Sequence, residues 1–102
     1  MIIRMERSGG FTGIPLQTEI DTGQLAAEEG RTLQDLVESA GFFALPASLP
    51  SPRKGADRFN FRLTVEEPER SHTVEFGDAA ASEPLQALIR QVTLLARTTR
   101  KG

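Results

Sequence analysis

The 102 residues carry 12 Lys and Arg against 14 Asp and Glu, for a formal net charge of −2, with six Phe, no Tyr, no Trp and no Cys. That length fits one domain, residues 1–102, with a single core, and the absence of Cys excludes disulfides and thiolate chemistry and suits a reducing compartment. A slightly acidic chain with scattered basic residues and no Tyr or Trp argues against a nucleic-acid partner.

In chain order, Met1 to Arg7 is interrupted by Arg4, Glu6 and Arg7. It therefore lacks the apolar stretch of about 7–15 residues that a signal peptide requires. No later apolar run is long enough for a membrane span, so a soluble protein with no membrane partner is expected. Residues 2–7 alternate, with Ile3 and Met5 on one side and Arg4 and Glu6 on the other, which predicts a half-buried strand. Ser8 to Gly13 (SGGFTG) reads as a turn or loop. A second strand follows, with Ile14, Leu16, Thr18 and Ile20 opposed to Gln17, Glu19 and Asp21, and with Pro15 tolerable at an edge. These two strands are expected to form a hairpin with a long tip.

Asp21 and Thr22 offer capping side chains. Leu33, Leu36, Val37 and Ala40 then recur at helical spacing, predicting a helix over roughly 26–40 that Gly41 ends. Gly30 weakens its first turns by about 1 kcal/mol relative to Ala. Phe42, Phe43 and Leu45 read as core. Pro46, Pro50 and Pro52 make 46–57 an extended, stiffened loop. Phe59, Phe61, Leu63 and Val65 alternate with polar residues as the clearest strand. The turn EPERS leads to a partner strand with Val74 and Phe76 inward. Ser82 caps a final helix with Pro84 in its first turn, and Leu85, Leu88, Ile89, Val92, Leu95 and Ala96 form its stripe. Arg97, Arg100 and Lys101 complement the negative end of that helix.

The order β-β-α-β-β-α predicts an α+β fold: a four-stranded, mainly antiparallel sheet with two helices packed on one face. The expected core is Ile3, Met5, Leu16, Ile20, Leu33, Leu36, Val37, Phe43, Phe59, Phe61, Leu63, Val65, Val74, Phe76, Leu88, Ile89 and Val92.

Motifs that would carry chemistry are missing. A single His, His72, makes no zinc site without Cys ligands. No nucleophile elbow, phosphate loop or dinucleotide fingerprint occurs. The acidic pairs Glu28–Glu29 and Glu66–Glu67 fall at helix starts and turns, where they are ordinarily solvated. No catalytic residue, metal or cofactor is therefore expected, and His72 has the parity of a histidine satisfied at the sheet margin. The expectation is a non-enzymatic binder of another protein. An adaptor or oligomerisation module using the sheet face or an edge strand is the competing reading.

Four segments together carry a family resemblance: RSGGFTG (7–13), LVESAGFFALP (36–46), GADRFNFRLTVEE (55–67) and HTVEF (72–76). In this combination the chain resembles the emfourins, small protein inhibitors of thermolysin-like (M4) zinc metalloproteases such as protealysin. The resemblance spans nearly the whole chain in order. It implies a bacterial, cytoplasmic inhibitor whose partner is an M4-family metalloprotease. The implied protease-binding residues are Ser8, Gly9, Gly10, Phe11, Thr12 and Gly13 in one loop and Gly55, Ala56, Asp57 and Arg58 in another. Read from the residues alone, Phe11 either folds over the core edge or stands out as an anchor, and Asp57 either caps its own turn or meets the partner. Addition of a chelator is expected to leave the melting temperature unchanged. A large drop would reveal a metal site built on His72 and neighbouring carboxylates.

Overall fold

Alternation along four strands sorts the side chains onto two faces, and pairing of those strands makes one face continuous and apolar. The structure, a computed structural model, describes residues 1–9, 16–50 and 59–99. In it β1 (Ile2–Gly9), β2 (Leu16–Asp21), α1 (Ala27–Ser39), β3 (Phe59–Glu67), β4 (Arg70–Gly77) and α2 (Glu83–Thr99) follow in the expected order. One-turn 3-10 segments intervene at Thr22–Gln24, Phe42–Ala44 and Asp78–Ala80. The sheet runs β2-β1-β3-β4 with every neighbouring pair antiparallel.

Ile3, Met5 and Ile20 from the first hairpin join Phe61, Leu63, Val65, Val74 and Phe76 from the second in one buried cluster. Leu33 and Val37 of α1 and Leu85, Leu88, Val92 and Leu95 of α2 complete it, so both helices cover the same face. Phe61 and Phe76 face each other across β3 and β4 with their rings stacked 5.5 Å apart. Four expected core residues, Leu36, Phe43, Phe59 and Ile89, are only partly buried. Each lies at a margin: Leu36 and Ile89 line a groove on the helices, while Phe43 and Phe59 carry an Arg guanidinium on their rings. Phe42 takes the fully buried position beside Phe43, and Ala81 adds a small buried side chain. The Leu16 side chain lies outside the described residues, as do Ile14 and Pro15.

The element ends follow local chemistry, with two departures from the expected caps and turns. Asp21 does not cap α1; its Oδ1 accepts from the Gly23 N–H at 2.9 Å and opens the 3-10 turn. The helix itself begins after Ala26 without a side-chain cap, and Glu28 and Glu29 in its first turn complement the dipole instead. The second-hairpin connection shrinks to Pro68 and Glu69, because Glu67 already pairs with Arg70. Gly41 sits at φ 61°, the left-handed conformation that ends the helix, and its N–H donates to the Glu38 carbonyl. Ser82 receives the Leu85 N–H on its Oγ and the Gln86 N–H on its carbonyl, as a cap should.

Phe61→Ala is expected to cost about 3–5 kcal/mol of unfolding free energy, measured in denaturant melts. A variant as stable as the parent would show that the strand parity is wrong.

Candidate functional site

The β1–β3 register sets Gly9 opposite Phe59, and the β3–β4 register sets Asn60 opposite Gly77. The two segments singled out in the sequence therefore adjoin one end of the sheet. Residues 10–15 connect Gly9 to Leu16, and residues 51–58 connect Pro50 to Phe59. The turn at Pro68 and Glu69 belongs to the opposite end, where Glu66 faces Ile2.

Of the ten singled-out residues, Ser8 and Gly9 are described; Gly10, Phe11, Thr12, Gly13, Gly55, Ala56, Asp57 and Arg58 lie outside the described residues. Ser8 and Gly9 are not loop residues as expected. They continue β1, paired with Asn60 and Phe59, because β3 extends far enough to bond them. Gly9 adopts φ 100°, a conformation that a side chain resists, at the point where β1 ends.

Arg7 has the parity of Ile3 and Met5 and so belongs to the helix-covered face, at its margin. Its guanidinium lies 4.9 Å from the centre of the Phe59 ring, a cation–π contact at the end where 10–15 and 51–58 attach. Parity was the available signal for Arg7, yet its charge suggested only an interruption of the apolar pattern. Beside Phe59 is a depression of about 380 Å³ bordered by Phe61, Asp78, Ala81, Gln86 and Ile89. Gln86 is held there by donating from Nε2 to the Ala81 carbonyl at 2.9 Å.

A short extended stretch directs the chain toward this end. Ser48 bridges Glu75 in parallel: the Glu75 N–H donates to the Ala47 carbonyl at 2.8 Å and the Leu49 N–H to the Glu75 carbonyl at 2.9 Å. Because the bridge is parallel, the chain runs from Ala47 to Pro50 in the direction of Gly77. His72 secures the base of this stretch. Its Nε2 lies 2.6 Å from the Leu45 carbonyl oxygen, and its ring meets Phe42 edge-on at 5.6 Å. That is the role of a satisfied margin histidine.

The outward sheet face is a lattice of cross-strand pairs. Arg4 bridges Glu19 of β2 at 2.8 Å and Glu66 of β3. Both carboxylates, Glu19 foremost, raise the Arg4 pKa above its ordinary value, so the guanidinium stays charged. Arg62 meets Glu75 at 3.3 Å, Gln17 meets Glu6 at 3.3 Å, and the Thr64 and Thr73 hydroxyls share a hydrogen bond of 2.8 Å. Among the described residues no group of three or more His, Asp or Glu side chains is arranged to hold a metal ion. Nor, among them, is any helix long and apolar enough to cross a membrane.

Comparison with protein-family models matches residues 5–93 to Emfourin. Neither the comparison with curated proteins nor that with solved structures found a match.

Gly9→Ala forces a Cβ into the left-handed region at the end of β1. It should lower the unfolding free energy by about 1–2 kcal/mol, again in denaturant melts. An unchanged stability would show that the positive φ is dispensable.

Proposed function

This chain belongs to the Emfourin family, a family of protease inhibitors, and on that premise we propose that it blocks the active-site cleft of a thermolysin-like (M4) zinc metalloprotease. Residues 8–13 are the primary contact and residues 55–58 its companion. The observation that carries this reading is the pairing of Gly9 with Phe59. It attaches one end of each segment to paired neighbouring strands, which supports a joint contact with the partner. A segment held at both ends by strands loses less freedom on binding than a free peptide, and the saved ordering cost appears as affinity.

Within the first segment Phe11 is the anchor. It is the one large apolar side chain between Gly10 and Gly13, and small neighbours let a backbone approach a cleft closely. Thermolysin-like enzymes favour a bulky apolar side chain after the scissile bond, which Phe11 supplies. Arg53 and Arg58 meet acidic groups around the cleft and speed association more than they tighten it. The protein acts by occupancy, without a reaction of its own. A bacterial cytoplasmic setting accords with the Cys-free composition.

The outward sheet face suits an adaptor poorly. Its Arg4, Arg62, Glu19, Glu66 and Glu75 side chains already satisfy one another, and a partner would have to replace those pairs.

Phe11→Ala is expected to weaken inhibition at least about thirtyfold, as loss of a central anchor of about 2 kcal/mol or more requires, with an unchanged thermal melt. Arg70→Ala, at the opposite end, should change the inhibition constant by less than about threefold. Its guanidinium packs 3.8 Å above the Phe43 ring, so a stability loss of about 0.5–1 kcal/mol is expected there. Equal inhibition by Phe11→Ala and the parent would remove Phe11 as the anchor. No inhibition of several thermolysin-like proteases by the parent would overturn the proposal and favour the adaptor.

A further inference from the structure

A four-stranded open sheet has two edges, and in this molecule they differ. On β4 the outward backbone groups of Glu75 are taken by Ala47 and Leu49. On β2 the corresponding groups of Gln17 and Glu19 have no such partner among the described residues. The Thr22 N–H donates to the Met1 carbonyl at 2.9 Å, which sets the phase of the β1–β2 ladder. In an antiparallel pair, hydrogen-bonded and non-hydrogen-bonded positions alternate. Ile20 and Thr18, paired with Ile3 and Met5, therefore bond to β1. Gln17 and Glu19 direct their N–H and C=O groups away from it, while the Asp21 carbonyl is taken up by the 3-10 turn that follows. Among the described residues no backbone hydrogen bond joins Gln17 or Glu19 to a segment outside the sheet.

This edge is short and carries Glu19 and Asp21, but it lacks two of the usual protections, a bulge and a Lys. Its pairing with β1 is continuous from Leu16 to Asp21, without a bulge, and it carries no Lys. Its polar side chains are drawn back onto the chain itself: Gln17 to Glu6, Glu19 to Arg4, and Asp21 to the Gly23 N–H. Gln17 and Glu19 are exposed, and each pairs with a β1 side chain.

We infer that the β2 edge receives an extended strand of the inhibited protease, which adds to the sheet beside β2. The inference rests on the inhibitor reading, and two observations specify the occupant. First, β2 begins at Leu16, directly after the 10–15 segment assigned to the cleft, so a strand on the cleft rim meets β2 as the chain leaves it. Second, the edge carries Glu19 and Asp21, so it accepts a strand with basic or uncharged residues at the facing positions. A second copy of this chain fits badly. Antiparallel self-pairing centred on Glu19 or Ile20 opposes carboxylates directly. Centred on Thr18, it pairs only Gln17 with Glu19 among the outward positions of β2. Strand addition draws its affinity from backbone hydrogen bonds, which makes it tolerant of sequence in the partner.

The test uses the full chain with a thermolysin-like metalloprotease that it inhibits. Amide exchange of Gln17 and Glu19 should be fast in the free protein and slow at least about tenfold in the complex, while Thr18 and Ile20 are protected in both. Glu19→Pro removes an outward N–H without touching the β1 ladder and should weaken inhibition at least about tenfold with little change in melting. Glu19→Gln, which keeps the N–H, should stay within about threefold of the parent, and so should Thr73→Pro on the other edge. Inhibition without protection of Gln17 and Glu19, or by Glu19→Pro at parental strength, overturns the strand addition and leaves the inhibitor reading standing. Protection that rises with concentration in the free protein, with a doubled mass, overturns it in favour of self-pairing. A parent that inhibits no such protease overturns both.

Discussion

The rest of the molecule depends on the antiparallel pairing of β1 with β3, which joins Ile2 to Glu66 at one end and Gly9 to Phe59 at the other. Those strands are separated by a helix and a proline-rich loop, so the pairing is long-range and its loop closure is entropically costly. Burial on one face offsets that cost. Ile3 and Met5 stand opposite Val65 and Leu63, and all four are buried. A slip by one residue would turn Arg4 and Glu6 into the core and expose Ile3 and Met5. On the other face Arg4 finds a carboxylate on each flanking strand. These exposed pairs add little stability, but they are satisfied only in this register.

Because the domain is small, its apolar face ends abruptly, and both ends are closed in the same way. At one, Arg7 lies over Phe59; at the other, Arg70 lies over Phe43 while bonding Glu67 at 2.6 Å. A guanidinium with an aliphatic stem covers a ring that the core cannot fully enclose. His72 performs a related task between Phe42, Phe43 and the Leu45 carbonyl. Polar groups at the margins thus finish a core that hydrophobic residues alone leave open.

This construction suits a binder. The sheet holds attachment points for 10–15 and 51–58, and the helices cover it from one side. Ala47 and Leu49 occupy the β4 edge, whereas Gln17 and Glu19 on the β2 edge have no such neighbour among the described residues. Gly30 shows how closely the parts are set: a Cβ there would lie 3.3 Å from the Thr22 carbonyl oxygen. The residue that weakens α1 by propensity thereby lets the preceding turn pack against it.

The sequence by itself determined the elements and their faces, since strand alternation and helical spacing act locally and leave direct marks. Phe61, Leu63 and Val65 in β3, Leu85, Leu88 and Val92 in α2, and the Gly41 stop all follow from such marks. So did the family, through the combination of RSGGFTG with GADRF. Tertiary structure decided the rest. Ser8 and Gly9 are residue types common in loops, yet Asn60 and Phe59 recruit them into β1. Asp21 was free to cap either of two turns, and the nearer Gly23 N–H won. Leu36, Phe43, Phe59 and Ile89 are apolar and correctly phased, but burial depends on how far the opposing surface reaches. The β2-β1-β3-β4 order, which sets Gly9 beside Phe59 and makes β2 an edge strand, is likewise absent from any local pattern. Strand order is settled by which apolar faces close together over long loops, and that competition exists only in three dimensions.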